Sequence, residues 1–130
     1  MKLLRRKTKA AAAPEKESEA PPSTPAEFVR RAYARHAHGD HQAAEQDLRA
    51  ALGIDSGLTE AYFALGLTLK ALGRTAEATQ AFQKVLANLE NQDQSDIVRS
   101  HMLARLTRGH INQLTQGDWN LYDEFWKKGG

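Results

Sequence analysis

Three histidines, His36, His38 and His41, stand close together with Asp40 among them, and they are the nearest the chain comes to a metal-ligand cluster. Zinc takes three or four nitrogen, sulfur or carboxylate ligands in a tetrahedron. No cysteine and no second histidine cluster is present to complete such a set. A helix end running into a turn scatters side chains at this spacing, so the three are expected to be solvated polar surface, and no metal is expected. His101 and His110 lie nine residues apart, on opposite faces of an expected helix, and neither is assigned a role. Covalent chemistry has no visible basis either: there is no Gly-x-Ser-x-Gly elbow and no glycine loop to cradle a phosphate. The carboxylates are scattered singly, and Glu27–Arg31 and Glu45–Arg49 read as i,i+4 helix pairs. The sequence therefore predicts a protein that is not an enzyme and holds no cofactor.

What remains is a surface, and the elements that form it repeat. Residues 25–58 (PAEFVRRAYARHAHGDHQAAEQDLRAALGIDSGL) align with residues 59–92 (TEAYFALGLTLKALGRTAEATQAFQKVLANLENQ) along their whole length. Repetition at this period implies a solenoid, in which each unit buries its apolar face only against a neighbour. The residue types are helical: Ala, Leu, Glu, Gln, Lys and Arg dominate, and no segment alternates apolar and polar with period two.

All four prolines, Pro14, Pro21, Pro22 and Pro25, fall at the start of the chain, where Leu3 and Leu4 are the only large apolar residues after Met1. Such a segment cannot bury enough surface to offset its ordering entropy, so residues 1–24 are expected to be a disordered basic tail. Its Lys2, Arg5, Arg6, Lys7, Lys9 and Lys16 outweigh Glu15, Glu17 and Glu19, whereas the remainder is close to neutral within an overall charge of +2. The basic pI thus belongs to the tail, and a nucleic-acid-binding domain would carry its basic excess on the folded part. No stretch reaches the ~20 apolar residues of a membrane helix. The opening MKLLRRKTKAAAAPEK lacks the apolar core of a secretion signal, and a cytoplasmic location is expected.

Within the first repeat, Thr24-Pro25-Ala26-Glu27 fits a capping box with proline at the first helical position. Gly39-Asp40 ends that helix and caps the next, whose Ala44, Leu48 and Ala51 form an apolar stripe. Gly53, Ser56 and Gly57 are expected to break the chain before the second repeat. There Tyr62, Leu65, Gly66 and Leu69 recur at helical steps, Gly73 turns the chain, and Ala78, Phe82, Val85 and Leu86 answer. Small residues at Ala32/Gly66 and Ala44/Ala78 allow two helices to approach closely.

These positions resemble the tetratricopeptide repeat. That family's pattern wants a large residue at position four, Leu-Gly at seven and eight, Ala at twenty, an aromatic at twenty-four and Ala at twenty-seven. Residues 59–92 supply Tyr62, Leu65-Gly66, Leu69, Ala78, Phe82 and Val85. Residues 25–58 supply Phe28, Ala32, Ala44, Leu48 and Ala51, with Arg31 and Arg35 departing from the apolar consensus. Both lack the proline common near position thirty-two. The resemblance implies an all-α helical solenoid with two clear repeats, a degenerate third repeat and cap over residues 93–130, and the tail; the folded domain would span residues 25–130.

In residues 93–130, Gly117-Asp118-Trp119 is similar to the family's turn between its two helices. Counting back puts the start of the third repeat at Leu103, with 93–102 as an insertion. A long helix is expected from about Ser95 to Thr115, either continuous through Gly109 or broken there, then a short helix through Trp126. Trp119, Tyr122, Phe125 and Trp126 are expected to cap the exposed core, with a ligand-facing aromatic site as the alternative.

By the same resemblance, the first helix of each repeat lines a concave groove, with Val29, Tyr33 and His36 from one repeat and Phe63, Leu67 and Lys70 from the next. Apolar anchors bordered by a few polar groups suit a peptide segment of another protein. Alternatively the third repeat's own helix, or a second copy of the chain acting as a self-assembling scaffold, covers them. The family's carboxylate clamp needs Lys, Asn and Arg donors where Val29, Tyr33, Phe63 and Leu67 stand, so chaperone-tail binding is not expected. The tail offers weak attachment to anionic membrane or nucleic acid.

Overall fold

The computed structural model describes residues 20–91 and 96–121. Among the described residues five helices follow one another: α1 (Pro25–Ala37), α2 (His41–Ile54), α3 (Thr59–Ala71), α4 (Thr75–Asn91) and α5 (Ile97–Gln116). Each packs against the next, and α1 also lies beside α3. No strand occurs among the described residues, and none of their helices is long and apolar enough to cross a membrane. The tail's basic residues, and the short helix expected through Trp126, lie outside the described residues.

The capping box forms as the sequence predicts. Glu27 N–H donates to Thr24 Oγ1 at 3.2 Å, and Thr24 N–H donates back to Glu27 Oε1 at 3.3 Å. Donation from the Ser23 N–H, and then from that of Thr24, holds the Glu27 carboxyl below its ordinary pKa. Gly39, Gly73 and Gly117 end α1, α3 and α5 at φ +84°, +78° and +89°. Three helices therefore close on the same left-handed residue, a backbone conformation that costs glycine nothing. The break between repeats falls later than expected: Gly53 is still helical, and the chain leaves α2 at Asp55, whose Oδ1 accepts from Gly57 N–H at 3.1 Å.

The core runs between the paired helices through Leu48, Leu69, Phe82 and Val85. Gly66 shows why a side chain is nearly absent there, since a β-carbon on it would stand 2.5 Å from the Phe82 ring. Ala44 and Ala78 are both fully buried.

Arg31 and Arg35 explain their own departure from the apolar pattern. Asp47 of α2 is buried, and Arg31 grips it with Nε at 3.0 Å from Oδ2 and Nη2 at 2.8 Å from Oδ1. Arg35 adds a contact at 3.4 Å. Bonding to Asp47 raises the Arg31 pKa above its ordinary value. The expected Glu27–Arg31 pair is therefore corrected: Glu27 serves the cap and Arg31 serves Asp47. Glu45–Arg49 does form, at 2.9 Å, and Glu45 also receives Arg74 at 2.7 Å.

Helix α5 is continuous through Gly109, with Asp96 Oδ1 accepting from Arg99 N–H at 3.0 Å as its N-cap. Residues 97–102 of the expected insertion are helical, close to the start expected at about Ser95, and form the first turns of α5. Gly109 persists in the helix because the Trp119 indole fills its side; a β-carbon there would meet Trp119 Cε2 at 2.0 Å.

Candidate functional site

Helices α1, α3 and α5 present one side of the array, and the six groove residues of the sequence reading lie on the first two. Tyr33, His36 and Leu67 come together at a shallow crevice floored by Ala32, Ala64 and Thr68. Tyr33 is 38% exposed, Leu67 and His36 are half-buried, and Thr68 is tied to the α3 backbone, its hydroxyl donating to Ala64 O at 2.9 Å. Val29 sits apart from them, buried in the core.

Phe63 and Lys70 face α5. The Phe63 ring meets Phe82 edge-on at 5.8 Å and His110 at 5.8 Å. His110 stacks on Phe82 at 5.0 Å with the planes 6° apart, and Trp119 meets it edge-on at 4.7 Å. Lys70 Nζ donates to His110 Nδ1 at 3.0 Å and to the Gln113 side-chain oxygen. His110, assigned no role from the sequence, is thus the hinge of an aromatic cluster joining α3, α4 and α5. Its signal was indirect: it occupies the position of Ala32 and Gly66, seven residues before the turn glycine, where the pattern wants a small residue.

Burial, and then the neighbouring Lys70 ammonium, push the His110 imidazole down to about 4. The unfolded chain binds this proton below about 6.5 and the folded chain only below about 4, so acid favours unfolding in that window. The stability owed to neutral His110 is complete above pH 6.5 and is lost as the pH falls towards 4. Urea midpoints are expected to fall between pH 7 and 5 in the wild type. The fall is expected to be smaller in His110→Phe, which keeps a ring on Phe82 and removes the titration. Parallel decline of both proteins would refute this. Part of the slope remains in the variant, because burial, then His41, lowers the His36 pKa as well.

The crevice is electrically quiet. Burial, then the Glu60 carboxylate, raises the Tyr33 phenol, so it stays neutral and keeps its proton. The Nδ1 atoms of His36 and His41 lie at hydrogen-bond distance, 2.9 Å apart. His38 turns the other way, its Nδ1 on Ala34 O at 2.7 Å, and Asp40 caps α2. Among the described residues no three His, Cys, Asp or Glu side chains converge on a point that could hold a metal. The crevice has no room for even a water-sized group, so Tyr33, His36 and Leu67 offer a surface to lie against and not a pocket to enter.

Residues 59–88, which make up α3 and most of α4, match the family model of the tetratricopeptide repeat. No curated protein matches the chain.

Proposed function

We propose that this chain, a member of the tetratricopeptide repeat family, is a non-enzymatic adaptor that binds a peptide segment of a partner protein along α1 and α3, at Tyr33, His36 and Leu67. The observation that carries the reading is Tyr33 itself. A large aromatic 38% exposed beside half-buried Leu67 is an anchor with nothing of its own chain described above it. The neutral phenol and imidazole suit an apolar side chain flanked by backbone polar groups. Phe63 and Lys70 border this surface on the α5 side, the Phe63 ring against His110 and the Lys70 ammonium on His110 and Gln113 making them its wall.

The test uses the full chain as bait and maps the captured protein to one synthetic segment. Tyr33→Ala with Leu67→Ala is expected to weaken that segment about tenfold or more, with helicity by circular dichroism unchanged. Phe63 is the poorer choice for such a test, since its loss disturbs the core. Undiminished binding by the double variant would remove the crevice from the account. A mass that rises with concentration in sedimentation, with no captured segment, would favour a self-assembling scaffold instead.

A further inference from the structure

Among the described residues, helix α5 leaves a long apolar face uncovered. Val98, Met102 and Leu106 are 67%, 62% and 47% exposed. At the α-helical step they fall within a sector of about 80°, with Arg105 on one side and Arg99 on the other. Gly109 continues the same sector, so the Trp119 indole seated on it extends the face. Over residues 97–116 the sequence carries Arg99, Arg105 and Arg108 and no acidic residue. The face is therefore apolar down its middle and basic along its length.

We propose that the occupant of this face is residues 122–126 of the same chain, Tyr122-Asp123-Glu124-Phe125-Trp126. Three observations on different grounds carry it. The first is the path of the chain. After Gly117 it doubles back on α5, with Trp119 against Gly109 and the Asn120 carbonyl accepting from Asn112 Nδ2 at 2.5 Å. From Asn112 to Met102 is about 15 Å along the helix, and the six residues from Asn120 to Trp126 reach about 20 Å when extended. An extended segment therefore has the reach to lie along this face.

The second ground is chemical complementarity. Three aromatic side chains and two carboxylates are what a face of Val, Met and Leu edged by arginines takes up. A second copy meeting α5 with its own α5 would instead set arginine against arginine. The third ground is internal. Leu48 and Phe82 each follow a turn glycine, Gly39 and Gly73, by nine residues, and each is fully buried. Trp126 follows Gly117 by the same interval. It cannot repeat the seat of Phe82 on Gly66, because His110 holds the equivalent position and Trp119 fills the glycine beside it. Leu106 and Met102 are the next apolar surface along α5.

The chain has no cysteine, which permits a direct test in the full-length protein. Met102→Cys with Phe125→Cys, and separately Leu106→Cys with Trp126→Cys, are treated with a short bis-maleimide in dilute solution. Gln46→Cys with Phe125→Cys, on the exposed side of α2, serves as the control. A bridge within one chain is expected in at least one α5 pair, at a yield about tenfold above the control, as a docked segment's effective concentration requires. Linked dimers in its place would assign the face to a second copy, and yields equal to the control would leave it open to an outside partner. Either result overturns the proposal. The inference does not rest on the crevice between α1 and α3, and neither test depends on the other.

Discussion

Phe82→Ala is expected to lower the free energy of unfolding by about 3–5 kcal/mol, the range for removing a large buried aromatic from a close-packed site. The ring has no exposed surface, lies over the bare Cα of Gly66, stacks on His110 and takes the edge of Phe63. Its removal opens a cavity with walls on three helices. Relaxation cannot refill that cavity, because Gly66 offers no side chain to move in. For a domain of this size the change corresponds to a fall in Tm of some tens of degrees. Urea unfolding followed by circular dichroism gives the measurement. A loss below about 1 kcal/mol would show that the three helices are held elsewhere.

Asp47→Leu is expected to cost about 2–3 kcal/mol, below the full penalty of a severed buried pair. The carboxylate side chain is 4% exposed, but the side chains of Arg31 and Arg35 are 27% and 33% exposed and can swing part-way to water. The informative comparison is the triple variant Asp47→Leu, Arg31→Met, Arg35→Met. Replacing all three charges with apolar groups is expected to recover most of the loss, since no orphaned guanidinium remains beneath α2. If the triple variant is as unstable as the single one, the bidentate contact itself holds α1 on α2, and the orphaned-charge argument fails.

Periodicity made most of the fold legible. The small residues at Ala32, Gly66, Ala44 and Ala78 announced where helices meet, and Gly39, Gly73 and Gly117 announced where they end. Thr24-Pro25-Ala26-Glu27 fixed the first helical residue, because its hydrogen bonds are local. Long-range polar pairing was not legible. Arg31 lies four residues from Glu27 and sixteen from Asp47, and only the packed interface reveals which carboxylate it takes. The groove shows the same limit. Tyr33, His36 and Leu67 share a crevice because α1 and α3 lie side by side. Phe63 and Lys70 were drawn towards α5 by a histidine where the pattern gives a small residue, and no rule of spacing places an imidazole against two phenylalanine rings that also touch each other. Gly109 read as a weak point because its cost was visible in the sequence while its compensation, the indole of Trp119, was not.

That compensation has an evolutionary edge. Gly109 gives up about 1 kcal/mol of helix propensity relative to alanine, and the space it leaves is taken by one side chain. A change of Gly109 to alanine is harmful while Trp119 is present and beneficial once it is gone, so the two substitutions have opposite value depending on their order. Related chains are therefore expected to hold both residues or neither, and a lineage that lost the indole would find its way back barred by the first methyl group it gained.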